Sequence, residues 1–212
     1  MKIISLSYDE AGYACSIATS IKKKYDYSTN FFDYIIVDMN TINSILNLRD
    51  INKLTENFNY EDQLNDKTKT VKWNNFSKMI SYHDLKKNFD NQMLNEFKSK
   101  YLRRYYRLIN DIYNEKIIFF IRFGKTEYDE IKSFIENIRK INDKLIIYFV
   151  NVDYDEKSKE TIYYEDIENY IYLNFNIINT KKLNSDDLYF KMLECNWDFV
   201  FFKIEEIYKI HK

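Results

Sequence analysis

The sequence predicts an α/β layer sandwich with a mostly parallel, Rossmann-like central sheet, and three observations carry that prediction. Apolar runs that read as strands alternate along the chain with stretches of helical periodicity. Two of those runs, in KIIFFIRFGKTE and in KLIIYFVNVD (Lys144–Asp153), are apolar almost without interruption, as strands buried on both faces of a parallel sheet are. The only two glycines, Gly12 and Gly124, each fall after a strand and before a helix, a turn that lies at the carboxyl edge of such a sheet.

Taken in order, Lys2–Ser7 reads as a short buried strand and Ala11–Lys24 as a helix whose lysine run suits a helix C-terminus. FFDYIIVD (Phe31–Asp38) is the next strand, followed by a helix over about Thr41–Leu54. Residues 55–83 read as a loop and hairpin insertion: Thr55–Lys69 is polar, while Thr70–Trp73 and Met79–Tyr82 can pair. Apolar side chains at Phe89, Met93, Phe97, Tyr101, Tyr105, Leu108 and Ile112 then mark one face of a long helix, with Asp84 placed to cap it. After Gly124 a second amphipathic helix runs to about Ile141, Ile171–Ile178 supplies another strand, and one or two helices close the chain from Ser185. The 212 residues suit a single α/β domain.

Composition narrows the function. With 32 basic against 33 acidic side chains the formal charge is −1, which argues against bulk electrostatic capture of nucleic acid or of an anionic membrane. No apolar stretch reaches the roughly 20 residues needed to cross a bilayer, and the opening MKIISLSYDE fits neither a signal nor a transit peptide. A cytoplasmic location is expected. Cys15 and Cys195 lie far apart and imply no disulfide framework; with only His83 and His211 to supplement them, no structural zinc and no cofactor are expected. The 20 tyrosines and 16 phenylalanines accompany abundant Ile, Lys and Asn, as A- and T-rich codons produce, so a single aromatic here carries little functional weight.

The chemistry turns on DEAGYAC. If the helix begins near Gly12, Cys15 falls in its first turn, where free N–H groups and the helix dipole favour a thiolate. If Ser7 and Glu10 instead form a capping box, Cys15 lies two turns inside, on a face of small residues with Ala11 and Ala18, as an inert core thiol. A nucleophilic thiol needs a base, and His83 in MISYHDLKK is the candidate, because His211 is the penultimate residue. Asp33, on another strand, is the candidate to orient the imidazole. Asp84 is disfavoured there because neighbours in extended chain point to opposite faces.

In order and spacing, IISLS, then GYAC, FFDYIIV, ISYHDL and KYLRRYYRLINDIYNEKIIFFIRF resemble a family of unknown function in bacteria and large DNA viruses, regarded as papain-like cysteine peptidases. The resemblance spans about residues 2 to 153. It implies a hydrolase acting on a peptide or small-molecule substrate, with Cys15 as nucleophile, His83 as base, Asp33 as a possible orienting acid, and Arg104 and Arg122 matching basic positions. If the gene is viral, the location is the host cytoplasm. Leu6–Ser7 and Phe31–Tyr34 depart from the family's Leu-Gly and Pro-Phe-Asp-Trp, and the interval to the cysteine is longer.

Other readings stand beside it. KSKYLRRYYR (Lys98–Arg107) interleaves cations and tyrosines as nucleic-acid readers do, yet Tyr101, Tyr105 and Leu108 belong to the core stripe, leaving Lys100, Arg103, Arg104 and Arg107 as a solvated helix side. An anion site at Gly12, or at Gly124-Lys125-Thr126 beside Arg122, is a further option. A catalytically silent interaction module is the remaining one.

Overall fold

The computed structural model describes residues 1–8, 15–62, 67–124, 126–154, 160–177 and 196–210. Its strands are β1 (Lys2–Ser5), β2 (Ile35–Val37), β3 (Phe58–Asp62), β4 (Thr68–Trp73), β5 (Met79–Lys86), β6 (Ile117–Phe123), β7 (Ile146–Tyr154), β8 (Thr161–Ile167) and β9 (Tyr170–Ile177). Its α-helices are α1 (Ser16–Lys24), α2 (Met39–Leu46), α3 (Asn91–Asn114), α4 (Tyr128–Ile141) and α5 (Trp197–Ile210), with a 3-10 turn at Ile51–Leu54.

Period-two alternation decides which helices cover which face of the larger sheet. Ile118 and Phe120 of β6, with Ile147 and Phe149 of β7, enter one apolar cluster shared with α2, α3 and α4. Their neighbours Phe119, Ile121, Tyr148 and Val150 enter a second cluster with Ile17 and Ile21 of α1 and Val200, Phe201 and Ile204 of α5. Both faces are thus covered, which is why these strands read as nearly continuous apolar runs. The sheet has the order β1-β6-β7-β9-β8, parallel except where β8 runs antiparallel to β9. The mixed α/β class and the mostly parallel sheet match the expectation. β8 is additional: its first six residues are exposed, so it carries no burial pattern from which to read a strand.

The segment expected to be a small insertion is instead most of a second sheet, antiparallel, in the order β2-β5-β4-β3. Val71 faces Ser81 and Lys72 faces Ile80, the expected hairpin pairing. β3, however, arises within the stretch read as polar loop, and β5 continues to Lys86. Asp84 is therefore a strand residue. The helix starts later, with Asp90 as its N-cap, whose side chain accepts from the Met93 N–H at 2.8 Å.

The sheets meet where β1 runs on past Ser5. Tyr8 forms a parallel bridge to Ile36, its carbonyl accepting from the Val37 N–H at 2.9 Å. Ser7 has a φ of 56° and its buried hydroxyl donates to the Ile35 carbonyl, so it joins this seam and does not cap α1. Arg122, 3% exposed, reaches across from β6 and donates to the carbonyls of Leu6 (3.1 Å) and Val37 (3.2 Å).

Gly124 follows β6 with a φ of +79°, and a Cβ there would lie 2.3 Å from the Tyr8 ring. The close approach that selects glycine is therefore to a side chain of the protein itself. Gly124→Ala is expected to cost about 2–4 kcal/mol, combining positive-φ strain with displacement of Tyr8. Urea unfolding checks this; a change below about 0.5 kcal/mol would show that the turn relaxes freely.

Candidate functional site

The site begins with the turn before β2. Phe31 and Phe32 are fully buried and anchor it, Phe31 packing edge-on against Tyr101 and Tyr105 of α3 at 5.8 and 6.2 Å. That anchoring turns Asp33 inward, where it accepts from the Asn30 N–H at 2.6 Å and the Tyr27 hydroxyl at 3.2 Å. Burial raises the Asp33 carboxyl to about 6, against the lowering effects of Asn30, Tyr27, Arg104 and Lys22.

A second carboxylate comes from an irregularity in β5. Lys69 pairs with Leu85 and Val71 with Ser81, so two residues of β4 span four of β5, and the bulge resets which side chains face inward. Asp84 consequently sits beside Ser81, whose hydroxyl donates to it at 2.6 Å, and also accepts from Lys100 and the Tyr101 hydroxyl. Burial would raise this carboxyl, but Lys100 and the hydroxyl donors outweigh it and hold it below the ordinary value.

Cys15 is partly exposed and is the N-cap residue of α1, its carbonyl accepting from the Thr19 N–H. Among the described residues, the charges that act on it are those of these two acids. Burial first, then Asp33 and Asp84, pushes the thiol up to about 11, so the resting group is protonated at neutral pH.

His83 is not brought to the thiol. It is exposed at the bulge, with the Tyr82 ring 6.4 Å away, and makes no hydrogen bond among the described residues. Neighbouring residues do diverge here as extended chain requires, but it is Asp84 that turns inward, to Ser81, Lys100 and Tyr101, and His83 that is exposed. The charge of Asp33 acts on Cys15, while its own hydrogen bonds go to Asn30 and Tyr27 and not to an imidazole. Arg122 is engaged by the Leu6 and Val37 carbonyls, and Gly124 lies under Tyr8, so neither forms part of this site. Gly12, Lys125, Cys195 and His211 lie outside the described residues.

Arg104 does belong to it. Together with Lys22, Lys100, Arg103 and Arg107 it lines a cleft of about 440 Å³ whose other wall is Tyr27–Thr29. Arg107 closes one end by donating to the Thr29 carbonyl at 3.0 Å. The Arg104 Nη1 atom is buried and has no hydrogen-bond partner among the described residues. Reading these cations as the solvated side of a helix missed Lys22 and the Tyr27–Thr29 segment opposite, which only the folded turn around Phe31 supplies. Among the described residues no group of three or more His, Cys, Asp or Glu side chains is arranged to hold a metal ion. No helix among them is long and apolar enough to cross a membrane.

The chain matches no family model, no curated protein and no solved structure.

Proposed function

We propose that this is an anion-binding α/β domain whose cationic cleft takes a phosphate-bearing ligand. The observation that carries the reading is the convergence of five cations from α1 and α3 on one concavity, with a buried guanidinium N–H group left unpaired. A buried donor without an acceptor is costly, and an oxyanion is the ligand that satisfies it while neutralising its neighbours. Whole-chain charge balance does not oppose this, because the positive charge is local. Titration calorimetry with pyrophosphate tests it. Binding should weaken as salt rises, and the exposed pair Arg103→Ala with Arg107→Ala should lower affinity about tenfold or more while leaving the melting temperature nearly unchanged. Binding indifferent to both substitutions would overturn the reading.

Thiol hydrolysis, the activity implied by the resemblance to papain-like peptidases, is the second reading. It is supported by the place of Cys15, partly exposed at the start of α1 and close to the carboxylate expected to orient a base. It requires the exposed His83 ring to swing inward before an acyl group can be attacked. The two readings differ in the pH dependence of alkylation. In a Cys195→Ser background, labelling of Cys15 by iodoacetamide should keep rising about tenfold per pH unit from 7 toward 10, as a thiol titrating at about 11 does. A plateau below pH 8, abolished by His83→Ala, would instead establish an imidazole-activated thiolate.

A further inference from the structure

Resting on the anion-binding reading, we infer that the ligand is a nucleoside diphosphate, its phosphates in the cationic cleft and its base on the exposed tyrosines of α3. Charge points to the diphosphate. Five cations stand against the carboxylates Asp33 and Asp84, which leaves three positive charges to be met. A carboxylate or a phosphomonoester leaves part of that charge uncompensated, whereas a diphosphate ester supplies up to three negative charges on two adjacent groups. Arg103, Arg104 and Arg107 present planar N–H forks suited to such oxygens along one turn of α3, about 5.4 Å.

The organic part follows from what adjoins the cleft. Arg107 also lines a second, shallower depression of about 620 Å³ formed with Tyr106, Ile109, Asn110 and Tyr113. Positions 106, 109, 110 and 113 share one helix stripe. Tyr106 is 60% and Tyr113 68% exposed, whereas Tyr101 on the same helix is fully buried. Tyr106, beside Arg107, and Tyr113, about two turns further along the same stripe, present exposed aromatic rings on which a planar ring can stack. Between them the Asn110 side-chain carbonyl accepts from Asn114, leaving its NH2 group to donate to an acceptor on a base edge. A sugar supplies the spacing between a phosphate held by Arg103 and Arg107 and a ring on Tyr106. The two sites act on one ligand because Arg107 belongs to both.

Calorimetry with four probes, ADP, pyrophosphate, adenosine and a single-stranded twelve-nucleotide oligoadenylate, tests the inference. ADP should bind about tenfold or more tightly than pyrophosphate, the increment that base stacking on an aromatic supplies. Adenosine should bind weakly. Tyr106→Ala with Tyr113→Ala should bring ADP to the level of pyrophosphate without altering pyrophosphate binding. Pyrophosphate and ADP binding equally would overturn the nucleoside assignment while leaving the anion site standing, whereas failure of both would remove the anion site itself. Oligoadenylate binding far more tightly than ADP, with several nucleotides covered per protein, would overturn the inference in favour of a strand-binding surface.

Discussion

Arg122→Met is expected to destabilise the protein by about 3–5 kcal/mol, because the guanidinium is bonded to carbonyls on both sides of the seam between the sheets. Methionine fills much of the volume but leaves the Leu6 and Val37 carbonyls without their donors, and it removes the cation that lies 5.7 Å from the centre of the Tyr8 ring. For a chain of this length the loss corresponds to a fall in melting temperature of about 10 °C. Arg122→Lys provides the control for charge. A single ammonium does not reproduce a fork aimed at two carbonyls, so most of the loss should remain. If Arg122→Met melts within about 3 °C of the parent, the Tyr8 bridge and the Ser7 hydroxyl hold the seam without the guanidinium and the assignment is wrong.

That seam explains what the sequence could and could not reveal. The central strands were legible because burial on both faces leaves nothing polar in them except residues with a task; Arg122 interrupts the apolar run of β6 for that reason. The amphipathic stripe of α3 was legible from Phe97 onward for the converse reason, since one side packs and the other is wet. The second sheet was not. β3 alternates between half-buried and exposed residues, which in sequence resembles a polar loop, and only pairing of Phe58 with Trp73 and Tyr60 with Val71 makes it a strand. The site was half legible. Cys15 and Asp33 stood out as rare or inward-facing types, but the bulge that exchanges His83 for Asp84 depends on the register between β4 and β5, which no local pattern encodes. For the same reason the cations of α3 read as surface, although Lys100 folds onto Asp84 and the charge of Arg104 acts on Asp33.

Asp33→Asn should make the protein more stable at neutral pH and bind anions more tightly. The carboxyl titrates near 6 in the folded protein against an ordinary value of 3.8, so the folded state holds this proton more firmly than the unfolded chain does. Its contribution is therefore most favourable below about pH 4 and declines as pH rises to 6, by ~3 kcal/mol in all, remaining at the lower level above that. Asparagine is isosteric, can still accept from the Asn30 N–H, and carries no charge to desolvate. Relative to the parent, the variant should be about 1–3 kcal/mol more stable at pH 7.5, with the difference vanishing near pH 4. Urea unfolding at successive pH values measures this directly. A parent whose stability rises from pH 4 to 6 relative to the variant would show that Arg104 and Lys22 outweigh burial at Asp33. The same substitution removes one of the two negative charges beside the cleft, so pyrophosphate affinity at pH 7.5 should increase. The parent's own affinity should strengthen on acidification through pH 6, and the variant should lack that step. Because Asp33 acts on the cleft cations Arg104 and Lys22 through its charge and bonds to neither, loss of the pH step without loss of binding would separate its electrostatic role from the contacts that hold the anion.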